Sequence, residues 1–209
     1  MSFQGWQEAA LDFFEGLERE NTKAYWTAHR SVYDQAVLEP MTQLTDELAP
    51  EYGPVKIFRP YRDVRFSADK SPYRTEIGAI IGSAYIRLSA AGLSAGNGMF
   101  HLAADQLDRY RRSVADDATG AELAKITKAL VGQGMMLISH EKLKSAPRGY
   151  PADHPRADLL KNKGLVAYRE WPVEPWLGTP EAGDRVKAFL VASAPLTRWL
   201  DAHVGAPAA

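Results

Sequence analysis

The hydrophobic spacing of the chain changes period twice along its length, and this most limits the folds open to it. Leu11, Phe14 and Leu17, with Ala10 and Phe13 beside them, recur at helical spacing and predict an amphipathic helix from about Trp6 to Glu18. Asn21 is placed to restart the chain as an N-cap, and Trp26, Tyr33 and Val37 continue one face of a second helix. Pro40 kinks that helix or opens a third one carrying Leu44 and Leu48, and Pro50 with Gly53-Pro54 is expected to end the helical part. Between Val55 and Ala90 the period falls to two, since Ile77, Ala79 and Ile81 alternate, as do Ile86 and Leu88. Gly92 and Gly96-Asn97-Gly98 then predict tight reversals and a further hairpin before Leu102.

Helical spacing returns with Leu107, Tyr110, Arg111 and Val114, and Thr119 with Glu122 reads as a capping box opening the next helix through Leu123, Ile126 and Leu130. Met135 to Ile138 and Leu165 to Trp171 are strand candidates, and Pro155 suits the first position of a short helix ending near Lys161. Val186, Phe189, Leu190, Leu196 and Leu200 describe a C-terminal helix, expected to bend at Pro195. Helices at both ends with strands gathered between them predict an α+β fold: a helical N-terminal part and a C-terminal helix packed on a central, mostly antiparallel sheet. With no repeat and no Ser- or Gly-rich linker, the expectation is one domain over residues 1–209. A domain of 209 residues buries roughly 70% of its unfolded surface, enough to stand without staples.

Staples are in any case excluded, because the chain has no Cys, which also removes thiolate nucleophiles and Cys-ligated metal sites. The start, Met1-Ser2-Phe3-Gln4-Gly5-Trp6, lacks the basic and then apolar pattern of a secretory leader, so the expected address is cytoplasmic. The most apolar runs, Ile77 to Ile86 and Ala188 to Leu196, fall well short of the roughly 20 residues of a spanning helix.

A net charge of −1 conceals a strongly uneven distribution. Residues 1–53 carry ten acids against three bases, whereas Arg59 to Glu76 carries five bases (Arg59, Arg62, Arg65, Lys70, Arg74) against Asp63, Asp69 and Glu76. A second basic stretch, His140 to Lys163, holds six Lys or Arg against Glu141, Asp153 and Asp158. If Tyr61 to Phe66 is extended, Tyr61, Asp63 and Arg65 share one face and Arg62, Val64 and Phe66 the other. Guanidinium forks hold phosphate or carboxylate in bidentate fashion, so arginines converging on a cleft make an anion site; an Arg and Asp network bracing a loop is the plainer alternative.

The run Tyr61-Arg62-Asp63-Val64-Arg65-Phe66-Ser67, then Asp69-Lys70 and Pro72-Tyr73-Arg74-Thr75, resembles the signature block of domain-of-unknown-function family 2461. The resemblance extends to Asn21, Trp26 and Arg30, and to Leu143-Lys144, Pro147-Arg148-Gly149-Tyr150, Asp153-His154-Pro155 and Leu159-Leu160-Lys161. It covers most of the chain, with Ser145 standing where that pattern leads one to expect a base. It implies a single cytoplasmic domain and transfers no activity.

Two catalytic spellings weaken on inspection. Gly92-Leu93-Ser94-Ala95-Gly96 fits a nucleophile elbow, but Asn97-Gly98 follows where a helix is required; Ser67-Ala68-Asp69-Lys70 fits a Ser-x-x-Lys motif, but Ser71-Pro72 stops the helix it needs. The five histidines, His29, His101, His140, His154 and His203, are dispersed and predict no metal site beyond a chance meeting of His154 and Asp153 with a distant carboxylate. Trp26, Trp171, Trp176 and Trp199 read as core or ledge residues, and no phosphate-loop or dinucleotide fingerprint is present. A sequence pI near 6.5 argues against a dedicated nucleic-acid binder.

The reading that results is a small anionic ligand, phosphorylated or carboxylated, held by Arg62, Arg65, Lys70 and Arg74, with Lys144, Arg148 and Lys161 closing the same cleft. Tyr73 and Tyr150 orient the ligand, and Asp63 steadies an arginine or acts as a general base. Catalysis, cofactor and oligomeric state are left open. The alternative is a non-catalytic interaction protein docking an acidic partner through its basic surface.

Overall fold

A computed structural model describes residues 2–208 and has the expected α+β class. Its contacts group into two compact units, Met1–Ala95 with Glu170–Ala188, and Gly96–Arg169 with Phe189–Ala209.

In the first unit, α1 (Glu8–Arg19) buries Ala10, Phe13, Phe14 and Leu17, the spacing that predicted it. Asn21 is not the cap of α2 (Lys23–Val32); the neighbouring Thr22 is, its hydroxyl accepting from the Tyr25 amide, which frees Asn21 for another task. The second helix does not stop at its end but widens into a π-helical turn, Tyr33–Leu38, and runs on as α3 (Glu39–Tyr52). Pro40 sits at the start of α3, directly after the π turn. Pro50 lies inside α3, and the helix ends only at Gly53, whose amide bonds back to the Ala49 carbonyl.

The strands β1 (Val55–Ile57), β2 (Glu76–Ile81) and β3 (Ala84–Ser89) follow, with Val55 opposite Ile81 and Ile77 opposite Leu88 in antiparallel register. Ile77, Ala79 and Ile81 are buried and α3 packs on β2, as the alternation required. The next strand, β4 (Gly92–Met99), overturns the expected reversal at Gly96-Asn97-Gly98, which lies within it. The glycines are there for close approach: a Cβ on Gly98 would sit 2.3 Å from the Leu165 carbonyl oxygen, and one on Gly96 3.2 Å from Val166. Asn97 points into the core and donates to the Ser193 hydroxyl at 2.9 Å, both side chains buried.

In the second unit, α4 (Ala104–Ala115) and α5 (Asp117–Gly132) are joined at Asp116. Asp116, not Thr119, caps α5: its carboxylate accepts from the Ala118 and Thr119 amides at 3.0 and 2.9 Å, which also holds it below the usual carboxylate range. β5 (Met136–Ile138) pairs antiparallel with β6 (Leu165–Trp171), whose bounds are those read from sequence. The short α6 (Ala157–Leu160) starts two residues after Pro155, and α7 (Glu181–His203) contains Pro195. The six strands are hydrogen-bonded in the order β1-β2-β3-β4-β6-β5.

Arg156 is the polar keystone of the second unit. Its guanidinium, only 11% exposed, donates to the carbonyls of Val114, Ala115 and Asp116 at 2.7, 3.0 and 3.1 Å, covering the open carbonyl end of α4. Removing a charged donor from acceptors that are largely part-buried leaves them unpaired, so Arg156→Ala is expected to cost about 1–2 kcal/mol, measured as a lowered urea midpoint at unchanged slope.

Candidate functional site

The densest sequence motif folds as an excursion closed at its neck. Tyr61 pairs with Tyr73 in an isolated antiparallel bridge, the Arg62 amide donating to the Pro72 carbonyl at 2.9 Å and the Arg74 amide to the Pro60 carbonyl at 2.7 Å. Beyond that bridge no strand pairing continues and the chain turns at Arg65-Phe66, so the run from Tyr61 to Phe66 is not one strand.

The neck is fixed from below by the N-terminal helices. Asn21 presents both halves of its amide to one residue, Nδ2 donating to the Tyr73 carbonyl and Oδ1 accepting from the Tyr73 amide, each at 3.0 Å. The Tyr73 ring lies stacked on Trp26, centroids 4.6 Å apart and planes 10° from parallel, while Tyr61 leans on both. Trp26 in turn contacts Phe13 and Tyr33 and carries the Arg30 guanidinium over its ring at 5.5 Å, Arg30 being held by both oxygens of Asp34. Burial pushes the Tyr33 phenol up to about 12, so this ring stays neutral.

Against the neck lies a cavity of about 310 Å³ lined by Glu18, Asn21, Arg62, Asp69, Ser71, Tyr73, Arg74, Thr75 and Glu76. Three of its charges are already matched. Arg62 pairs with Asp69, whose other oxygen accepts from the Ser71 amide at 2.9 Å. The Arg62 guanidinium and the Ser71 donors hold the Asp69 carboxyl far below its ordinary range. Glu76 meets Arg87 at 3.3 Å, and Arg87 also donates to the buried Ser94 hydroxyl at 3.0 Å and reaches Glu170 at 3.4 Å. Ser94 therefore lies in a continuous strand facing an arginine, with no helix after it, and is no nucleophile elbow. Among the described residues, Arg74, Thr75 and Glu18 have no ion pair or side-chain hydrogen bond, which leaves one cation, one hydroxyl and one carboxylate uncommitted in a single cavity.

Of the sequence-predicted residues, Arg62, Tyr73 and Arg74 meet in this cavity. Arg65 and Lys70 are not among its lining: Arg65 grips Asp63 through two nitrogens at 2.9 and 2.7 Å, holding that carboxyl below its usual range, and Lys70 donates to the Val64 carbonyl at 3.0 Å. Lys144, Arg148, Tyr150 and Lys161 belong to the second unit. There Lys161 pairs with Asp158 at 3.1 Å, an isolated antiparallel bridge joins Lys142 to Asn162, and the Tyr150 amide closes a turn on the Pro147 carbonyl. Gly149 serves that turn by its φ of +86°, with open space where a Cβ would stand. Lys144 and Arg148 are exposed and without an ion pair among the described residues. The His154 ring accepts from the Arg156 amide, and no group of three or more His, Asp or Glu among the described residues is arranged to hold a metal ion.

Glu18, Ser71, Thr75, Glu76 and Arg87 are not among the ligand-binding residues read from sequence. Glu18 lies on an acidic helix and Arg87 on an alternating strand, and neither stands out from its neighbours until the fold brings it to the loop.

The profile of the family described as conserved hypothetical protein DUF2461 matches residues 9–199. The chain belongs to the DUF2461 family. The matched span contains both the loop and the helices that clamp it, so the family region includes every residue lining the cavity. No curated protein and no solved structure matches the chain. No helix among the described residues is long and apolar enough to cross a membrane.

The acids of the loop set its response to pH. Asp63 and Asp69 both have carboxyls lowered by arginine partners, so their pairing is fully present above about pH 3.9, the ordinary Asp value, and is lost as the pH falls through the lower folded values. Asp69→Asn is expected to loosen the loop at neutral pH, read from changed amide shifts of Arg62 and Ser71 at pH 7.

Proposed function

We propose that the cavity beside the Tyr61 and Tyr73 bridge binds a small anionic ligand, its phosphate or carboxylate on Arg74. The observation that carries this reading is the uncommitted guanidinium of Arg74 in a cavity whose other arginine is already neutralised. An unpaired fork is free to take an oxyanion bidentately, whereas Arg62 would first have to give up Asp69. Thr75 offers a hydroxyl to the same ligand, and Glu18 accepts from a hydroxyl or amine on it, so the ligand class is a metabolite with an anionic group and hydrogen-bond donors. The volume is at the lower end of the roughly 300–1,000 Å³ usual for small-molecule sites.

The test is thermal unfolding of wild type and Arg74→Ala with phosphate, sugar phosphates, nucleotides and small carboxylates at one ionic strength. At about 100 times its dissociation constant a ligand stabilises by roughly 2.7 kcal/mol, and that shift is expected to vanish in Arg74→Ala and to survive in Arg65→Ala. No shift with any compound, or an equal shift in Arg74→Ala, would overturn the reading.

One observation favours a second reading, docking of an acidic partner protein. Phe66 at the loop tip is 97% exposed beside Arg65, whose guanidinium lies 5.9 Å from the ring. Aromatic and arginine side chains are the common anchors of protein interfaces. A specific protein retained by wild type and released by Phe66→Ala, with no ligand found for the cavity, would favour it.

A further inference from the structure

A groove of about 580 Å³ lies in the second unit between α5 and the C-terminal half of α7, and none of its lining residues comes from either basic sequence block. Its apolar surface comes from Ile126, Leu130, Pro195 and Trp199. The Trp199 indole N–H is turned to the Thr119 carbonyl at 3.0 Å, which spends its one donor on the protein. Small side chains, Ala129 on α5 with Ala192 and Ala202 on α7, leave the groove unfilled. At its margin stand Lys125, Arg198 and His203 against one acid, Glu122, and neither Lys125 nor Arg198 has an ion pair or hydrogen bond among the described residues.

An apolar trough edged by unmatched cations selects an occupant with a hydrocarbon body and a negative end. Size separates the candidates. A helix about 10 Å across with a 5.4 Å pitch occupies roughly 420 Å³ per turn, so the groove takes in little more than one turn of a partner helix. It lies within the range of small-molecule pockets, roughly 300–1,000 Å³. We propose that this groove binds a small amphipathic carboxylate, its hydrocarbon against Ile126, Leu130 and Trp199 and its carboxylate met by Lys125 and Arg198. The site is independent of the cavity at Arg74.

Calorimetric titration of the full chain with decanoate, decanol and decylamine at one ionic strength tests this, with tryptophan fluorescence as a second readout. Decanoate is expected to bind saturably, one per chain, and at least about tenfold more tightly than decanol, because a charge-assisted pair separates the two. Arg198→Glu is expected to weaken decanoate at least about tenfold, and Ala129→Phe, which fills the groove from an exposed position, to abolish binding; Arg74→Ala is expected to leave it unchanged. Circular dichroism of each variant reports that it is folded. No saturable binding of decanoate, equal binding of decanol or decylamine, or affinity indifferent to both groove variants would overturn the proposal. So would sedimentation showing a dimer that Ala129→Phe dissociates, since the groove would then belong to a second copy of the chain.

Discussion

The first unit depends on one side chain speaking to one backbone residue. Asn21 satisfies both the donor and the acceptor of Tyr73, as a neighbouring strand would, and so joins the end of the helical region to the neck of the charged loop. Left unpaired, those two groups of a residue only 5% exposed would each cost about 1–3 kcal/mol. Tyr73 delivers its ring onto Trp26 by the same geometry, and the backbone bonds of Arg62 and Arg74 flank it in the bridge. The position of Arg74 beside the cavity is therefore a consequence of Asn21, more than fifty residues upstream.

The loop also shows how a count of charges misleads about a binding surface. Five bases against three acids suggested a broadly positive cleft. In the fold, Asp63 and Asp69 neutralise Arg65 and Arg62 at close range, Lys70 serves a carbonyl, and Glu76 turns to Arg87 on the neighbouring strand. Such exposed pairs contribute little to stability. Their effect is on shape, since they brace a segment with no regular structure and leave a single cation of the cavity unspent. The bracing network takes Arg62 and Arg65 and leaves the Arg74 guanidinium uncommitted at the cavity.

Much of the architecture was legible because it follows from period alone. The buried face of α1, the alternation of Ile77, Ala79 and Ile81, and β6 needed only the spacing of apolar residues. What was misread was glycine and capping chemistry. Gly96-Asn97-Gly98 spells a turn, yet the same residues suit a strand whose neighbour's backbone presses close and whose asparagine finds a buried serine 96 residues away. Asn21 spells a cap, and Thr22 beside it spells one equally well; only the position of Tyr73 decides between them. For the cavity, the loop residues could be picked out by their density, while Glu18 and the pair of Glu76 and Arg87 depend on contacts across the chain that no local pattern announces.

Amide hydrogen exchange in wild type and Asn21→Ala tests the clamp most directly. If Asn21 holds the neck, the amides of Arg62, Tyr73 and Arg74 are slow in wild type and all three quicken in the variant, while Ala79 in the middle of β2 keeps its protection. Unchanged protection at Tyr73 and Arg74 in Asn21→Ala would mean that the stack on Trp26 and the bridge suffice alone, and would contradict the central role of this one asparagine.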